Sequence, residues 1–566
     1  MEQVELEDLS SRRPSISSVG QTVMPEERPM LEPSPPGSTS VAGAASLIAL
    51  GNVASRVLGL VREMTIAYLF GASGLVSAFE VASRVPRMLF DLLIDGLVSS
   101  ALVPVFSELA ERDRCELWRV ASLVLSWVAL VMGLALLVME IGAHQIAWLM
   151  SGGFDAQLLQ TTAYLMRLTS PAVVFLSLSG VTTGLLYALK RFTLPAFAVA
   201  VFNAGLVLVA LILAGWLGLG VESLAVGMVV GSAAQVALQL PGLRGARLRF
   251  SVNVHHPMLR RIIKLYIPIV LGLVISQVGI VIDRNLASRT GEQSIAWMRY
   301  ATTVVQFPLG LVSAAIAMAI LPTLSRLASP PNLALGGRGR QKPAAEFAET
   351  LSRGIRMVLV LILPAVVGLF TIAEPLIALV FQHGDFTAYD TQQTALALRL
   401  YLLGTAFAAI DLPLVFAFYA RQNTLTPALV GMLGVVVYLV VALTPALFRA
   451  LRMSDLVLAN SAQLTAHAIV MLWLTHREVS LRGQGLEHTV AKVLPAALAM
   501  GAVTYLVQLQ LHSYLPGGTF LENLLIVAGA AVVGCGVYGG LLLLLHVEEV
   551  YMLLTLARRP FLHWMR

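Results

Sequence analysis

Residues 425–448 read LTPALVGMLGVVVYLVVALTPALF, twenty-four positions without a charged side chain. As a helix this run is about 36 Å long, enough to cross the roughly 30 Å hydrocarbon core of a bilayer. Its apolar residues are continuous and do not alternate, which argues against a strand of a membrane barrel. Outward from it, similar runs fall at 41–61, 75–106, 120–142, 159–189, 193–214, 220–240, 262–287, 294–324, 354–381, 393–420, 455–475, 490–510 and 522–546, making fourteen in all. The run at 75–106 is the least regular because it holds Glu80, Arg84, Arg87, Asp91 and Asp95. The chain as a whole is 57% hydrophobic and 12% charged, about half the ~25% charge of soluble domains. This composition excludes a soluble enzyme, a disordered chain and a nucleic-acid-binding module. The net charge of +6 comes from basic residues in short loops, so no nucleic-acid partner is expected.

Those loops also orient the chain. Lys and Arg gather at 112–119, 190–191, 244–261 and 338–356 and again after 475, while the loops between are nearly free of them. Cytoplasmic loops carry such an excess, and an even number of crossings puts both termini on one side. The expectation is a multi-pass protein of the bacterial cell (inner) membrane with cytoplasmic N- and C-termini. The first forty residues, polar and containing Pro-Ser-Pro-Pro at 33–36, read as a disordered tail. The two cysteines, Cys115 and Cys535, have no Cys or His at metal-ligand spacing. No metal site and no cofactor are expected. His144, His383, His467 and His512 are isolated and read as structural, and Arg399 and Asp411 acquire no role from their spacing.

A repeat runs through the chain. Arg62 precedes Pro86 by 24 residues, and Arg284 precedes Pro308 by the same 24. ALVPVFSEL (101–109) echoes AILPTLSRL (319–327), and FTLPA (192–196) echoes TLTPA (424–428). Six runs per unit mean that both units cross the membrane in the same sense, an arrangement found in secondary transporters with the substrate site between the halves. The expected fold is an all-α polytopic membrane protein of about 14 transmembrane helices, with two six-helix lobes related by a parallel repeat plus two C-terminal helices. The expected boundaries are 1–40 for the tail, 41–240 for the first lobe, 241–261 for a basic cytoplasmic linker and 262–480 for the second lobe. The two extra helices take 481–546, and an amphipathic cytoplasmic tail takes 547–566.

Charges inside the apolar runs are costly, about 2.5–3.5 kcal/mol each near the bilayer centre, and normally face a partner or a wet cavity. The first run carries Arg56, Arg62 and Glu63. In the second, Glu80, Arg84, Arg87 and Asp91 are spaced four, three and four apart and share a helical face. One reading is a salt-bridge ladder that braces this helix. The other is a cationic cavity wall for an anionic ligand, since arginine presents a planar fork that grips two phosphate oxygens. In the second half, Asp283 and Arg284 are adjacent and Arg299 follows on the next run. Substrate contact is assigned to Arg56, Arg62, Arg84, Arg87, Arg284 and Arg299, and an acidic or gating part to Glu63, Glu80, Asp91, Asp95 and Asp283.

The stretches SRVLGLVRE (55–63), LFGAS (69–73), AFEVASRVP (78–86) and DGLVSSALVPVFSE (95–108) resemble the start of the MurJ/MviN family. KRFTLPAFAVAVFN (190–203), QFPLGLVSAAIAMAILPTLSRLA (306–328), LVFQHGDFTAYD (379–390) and FYARQNTLTPA (418–428) extend the resemblance over about residues 41–480. The family comprises bacterial lipid II flippases of the multidrug/oligosaccharidyl-lipid/polysaccharide exporter superfamily. The resemblance implies two lobes in a V around a cationic cavity, with two C-terminal helices forming a groove for a polyprenyl tail. It implies that lipid II, the undecaprenyl-pyrophosphate-linked disaccharide-pentapeptide, moves from the cytoplasmic to the outer leaflet by alternating access for cell-wall synthesis. No bond is made or broken, so the chain is not expected to be an enzyme. Membrane lipids and the cell-wall synthesis machinery are the further partners it implies.

By the same resemblance, the family's two first-helix arginines match Arg56 and Arg62, its basic residue before the second-helix proline matches Arg84, and its acidic residue before a glycine matches Asp95. The chain departs from the family at Ser77, where an Asp is frequent, and at Phe90 and Thr303, where essential arginines stand. Arg87 and Arg299 lie one helical turn from the two vacated positions. Asp283 matches one ligand of the sodium site of some members, but 425–448 holds no Asp or Asn, so no sodium site is expected. Three alternatives stay open at this point: a flippase for another polyprenyl-linked glycan, a cation-coupled drug exporter, or a transport-dead membrane scaffold. The lost arginines favour the last.

Overall fold

The structure, a computed structural model, describes residues 38–253, 255–328, 338–515 and 518–552. Residues 1–37 of the expected tail and 553–566 of the expected C-terminal segment lie outside the described residues. Met1–Ser46 and Leu47–Arg566 are separate units; the architecture below is that of the second.

Among the described residues there are helices and no strands. The first half holds α1 (Ser38–Phe70), α2 (Gly74–Phe90), α3 (Val103–Arg112), α4 (Arg114–Ser151), α5 (Ala156–Thr169), α6 (Ala172–Ala188), α7 (Thr193–Gly215) and α8 (Glu222–Gln239). The second holds α9 (Pro257–Ser288), α10 (Ser294–Pro308), α11 (Ala314–Leu327), α12 (Arg338–Thr371), α13 (Ala373–Phe381), α14 (Ala388–Ala420), α15 (Leu425–Leu443) and α16 (Met453–Glu478). Two more, α17 (Leu486–Tyr514) and α18 (Phe520–Leu544), pack on each other and on α12. Polar caps set several starts: Asp113 accepts from the Cys115 and Glu116 amides at α4, and Thr387 with Asp390 closes a capping box at α14.

All fourteen apolar runs lie on helices. Ten helices are long and apolar enough to cross a membrane, and α5 with α6, bent by 41°, make an eleventh. The three remaining runs fall on α1, on α2 to α3 and on α9, the segments that carry the charges of the site. The protein is a multi-pass, all-helical membrane protein.

The repeat is visible as a shared irregularity. Proline lacks an amide hydrogen and crowds the carbonyl four residues back, so the helical ladder breaks around it. After Pro86 the chain makes π-helical turns at Asp91–Asp95 and Val98–Leu102, then enters α3. After Pro308 it makes one at Leu309–Ser313, then enters α11. Such turns re-aim the side chains that flank them.

The two ends of the bundle are built differently. At the end holding Gly71, Gly153 and Gly384, both halves share one apolar core that includes Ile66, Phe79, Met150, Tyr300, Phe381 and Met453. Backbone contacts tighten the seam there. The Asp385 amide donates to the Tyr68 carbonyl at 3.1 Å, the Tyr300 hydroxyl to the Gly71 carbonyl at 2.8 Å, and the Gly153 amide to Ser288 Oγ at 3.0 Å. At the opposite end the cores are separate, one around Phe106, Leu117 and Leu185 and another around Phe347, Leu351 and Phe418. The start of α9 belongs to the first of these, where Arg261 pairs with Glu108 at 3.0 Å and His256 Nε2 lies 3.1 Å from Glu116. The basic segment before α9 runs along α4, its Arg249 and Ser251 amides each donating at 3.0 Å to Ser122 and Ser126.

Gly384 has φ +61°, and a Cβ there would strike the Tyr68 carbonyl. Gly483 has φ +77° with open space around it. Gly483→Ala is therefore expected to cost about 1–2 kcal/mol, the left-handed penalty alone, and Gly384→Ala distinctly more. Thermal unfolding of the detergent-solubilised protein checks this; equal shifts would mean that the seam yields without strain.

Candidate functional site

Glu63 on α1 is 1% exposed. A buried carboxylate persists only with partners, and this one has two. Arg62 Nη2 donates to Glu63 Oε1 at 2.5 Å, and Arg299 Nη2 reaches the same oxygen from α10 at 2.7 Å. Arg299 Nε also lies 3.6 Å from Glu80 Oε2 on α2. The four groups tie two helices of the first half to one of the second. Arg62 makes one more bond, Nη1 to Asn203 Oδ1 on α7 at 2.9 Å, and Asn203 donates to the Ser55 carbonyl at 3.2 Å.

Beside this network is a small pocket, a cavity with room for about one water. Arg62, Arg87 and Arg299 line it with Glu80, Ser83 and Phe202. Arg87 holds its guanidinium over the Phe202 ring at 5.9 Å, a cation–π contact that leaves its N–H edge available. Arg84 lies further along the same face, and the charges that reach it are Arg284, Asp91, Arg299 and Glu80. Arg84 Nε and Arg284 Nη1 are buried without a hydrogen-bond partner among the described residues. Arg284 Nε is 3.9 Å from Asp283 Oδ2, and Asp283 Oδ1 accepts from the Tyr438 hydroxyl at 2.8 Å. Buried donors of this kind cost about 1–3 kcal/mol each when left unmade, so they mark places where an acceptor is wanted.

Arg56 sits apart from the cavity. Its guanidinium lies over Gly310 in the π turn after Pro308, where a Cβ would overlap it, and Nη1 is 3.4 Å from the Gln306 carbonyl. Asp91 opens the first π turn and Asp95 closes it; the side chain of Asp95 is outside the described residues. The structure thus gathers Arg62, Glu63, Glu80, Arg87 and Arg299 at one cavity. Arg84, Asp283 and Arg284 stand nearby, and Arg56 lies in a separate contact between the halves.

The positions where the chain departs from the family acquire a physical account. Phe90 packs against Gly180 of α6, within the apolar core. The Thr303 hydroxyl donates back to the Arg299 carbonyl at 3.0 Å. Arg299 does not turn toward headgroups but inward to two carboxylates. Ser77 is fully buried, and its Oγ accepts from the Ala296 amide at 3.2 Å in the first turn of α10. Sequence reasoning missed Phe202, Asn203 and Tyr438. Phe202 and Asn203 end the motif at 190–203, where an amide inside an apolar helix was the available signal. Tyr438 gave none.

Removing one partner of a buried ion pair costs about 3–5 kcal/mol. Glu63→Gln and Arg299→Gln are each expected to lower stability by a similar amount, and the double variant by clearly less than the sum. A double-mutant cycle on thermal unfolding measures this; additive losses would mean that the two residues act independently.

Residues 66–525 match the family described as MurJ, lipid II flippase MurJ. The chain is 31% identical over 398 residues to the lipid II flippase MurJ of Burkholderia cenocepacia, covering 68% of this chain and 74% of that protein. It is 29% identical over 515 residues to the probable lipid II flippase MurJ of Haemophilus influenzae, covering 88% and 99%. Among solved structures, a lipid II flippase MurJ in an inward closed conformation superposes with a TM-score of 0.71 at 22% identity, covering 87% of this chain and 98% of that one. An inward-facing multidrug resistance MATE family transporter of the MOP superfamily follows the same fold with a TM-score of 0.61 at 13% identity, covering 77% and 96%.

Proposed function

Because the chain belongs to the lipid II flippase MurJ family, we propose that it moves lipid II from the cytoplasmic to the outer leaflet of the bacterial inner membrane by alternating access. The observation that carries this reading is the cavity walled by Arg62, Arg87 and Arg299, with two buried and unpartnered guanidinium nitrogens, on Arg84 and Arg284, beside it. A pyrophosphate supplies the acceptors these donors lack, and arginine meets it with paired N–H groups.

The carboxylates explain how the site releases its cargo. Glu63 and Glu80 occupy the arginines in the closed state, so an arriving pyrophosphate exchanges one anion for another. Binding then draws on a difference between two similar interactions, which keeps it weak enough to reverse. The pocket between these arginines has room for about one water, so loading of a pyrophosphate and its disaccharide-pentapeptide requires the halves to part. They part at the end with separate cores, and the excess of basic residues in the loops supports reading that end, with both termini, as cytoplasmic. The shared core and glycine seam then seal the outer side. The polyprenyl tail stays in the lipid, along the surface formed by α17 and α18 against α12. Moving one net charge through the membrane potential is worth about 2.3 kcal/mol per 100 mV, a contribution open to a cycle that carries a pyrophosphate.

Rescue of a bacterium depleted of its own lipid II flippase tests the reading. The chain is expected to restore growth, Arg87→Ala and Arg62→Ala to abolish rescue at unchanged membrane abundance, and Arg87→Lys to restore it only in part, since lysine keeps the charge but loses the fork. Full rescue by the double alanine variant would remove the cavity from the mechanism, and failure of the native chain would favour a scaffold.

A further inference from the structure

A second ionisable pair lies in the apolar interior, outside the cavity. His467 Nδ1 on α16 is 2.9 Å from Asp411 Oδ2 on α14, with the two side chains 17% and 18% exposed. The Pro427 carbonyl of α15 is a second oxygen near the imidazole, and His467 Nδ1, though close to Asp411, makes no well-aligned hydrogen bond among the described residues. Asp411 Oδ1 is buried with no hydrogen-bond partner among the described residues. Asp411 is nine residues from the end of α14 and His467 eleven from the end of α16. At 1.5 Å per residue that is about 14 Å and about 17 Å from those two ends, well inside a core roughly 30 Å thick.

Other charges around the pair are engaged or remote. On α14 itself, Asp390 accepts from Trp297 and Arg399 donates to the Phe370 carbonyl. On α16, Asp455 binds Arg449, Glu478 binds Arg421 and Arg477 lies over Trp473, with His476 beside it near the helix end. Among packed neighbours, α10 brings Arg299, held by Glu63 and Glu80, and α15 brings Tyr438, which donates to Asp283 of α9 beside Arg284. On α12, Arg353 pairs with Glu349 and Arg356 with Glu549, while Arg326 is in the last turn of α11 and Glu374 in the first of α13. Tyr419 is the further titratable group whose surroundings include Asp411.

We propose that His467 and Asp411 form a proton-binding site in the second half of the protein, and that loading and release of one proton accompany the entry of water to this pair as the two halves part in the transport cycle. With its proton the pair is imidazolium and carboxylate, net neutral. Without it, a lone carboxylate stands in the bilayer interior at several kcal/mol of desolvation. The packed, dry pair therefore keeps the proton. When the halves part and water reaches the pair, that water screens the counter-charge and takes the proton from the imidazole. The link to cargo runs through α10, which packs against α14 and carries Arg299, one of the groups an arriving anion would detach from Glu63.

The transport half of this inference rests on the proposed flippase reading; the proton site does not. Nitrogen NMR of histidine in the full chain, held in lipid nanodiscs at pH 7, reads the site directly. One doubly protonated imidazole is expected, absent from His467→Gln and converted to the singly protonated form in Asp411→Asn. A singly protonated His467 in the native chain overturns the site. In liposomes loaded with a pyrophosphate-linked polyprenol, an imposed pH gradient is expected to change the flipping rate of the native chain severalfold and to leave His467→Gln indifferent. Equal responses overturn the coupling. A chain that flips no lipid under either gradient overturns the flippase reading and the coupling together, and the NMR result still decides the proton site.

Discussion

The closure of the two halves depends on Glu63. Its carboxylate is the point where α1 and α10 meet, and it is buried deeply enough that neither Arg62 nor Arg299 can leave without a large electrostatic loss. Arg299 in turn fixes Glu80, and Arg62 fixes Asn203. Four charges or dipoles on four helices are therefore positioned by one residue. Their net charge is small, and this makes the arrangement tolerable in an apolar medium while leaving Arg87 and Arg84 to present positive charge.

Much of this fold was legible beforehand. The apolar runs are long, continuous and bounded by polar loops, and hydrophobic length is the signal a bilayer reads directly. The matched spacings before Pro86 and Pro308 became matched π turns, because proline imposes a backbone effect wherever it occurs in a helix. The charged residues announced themselves for a related reason, since an arginine in an apolar run is conspicuous. Their partners did not. Glu80, Arg84, Arg87 and Asp91 share a helical face and suggested a ladder along α2, yet Glu80 finds its cation on α10, more than two hundred residues away. Asp411 and His467 looked unrelated for the same reason. Helical spacing reports which residues share a face, and the identity of the opposite face is a tertiary fact. Arg56 went to a glycine in a π turn rather than to the cavity, a destination that only the packing of α1 on the second half creates.

At the positions where the resemblance expects other residues, the structure shows what the present side chains do. Phe90 fills apolar space against α6, and Thr303 ties back to its own helix, so neither leaves a hole where an arginine side chain would have been. Arg87 and Arg299 reach the cavity from one turn away. Ser77 retains an oxygen where the family often has a carboxylate, and that oxygen still satisfies an amide at the start of α10.

The bridges Arg261–Glu108 and His256–Glu116 have a consequence for the medium in which the protein works. Their groups are partly exposed, so dissolved ions compete for them: the Debye length is about 8 Å at physiological ionic strength and about 3 Å at 1 M salt. The opposite seam is made of backbone contacts and apolar surface, which salt does not weaken and salting-out ions strengthen. Ionic strength therefore acts on the two ends with opposite sign, loosening the basic-loop end while firming the other. The balance between the two faces of the protein is set in part by the salts dissolved on either side.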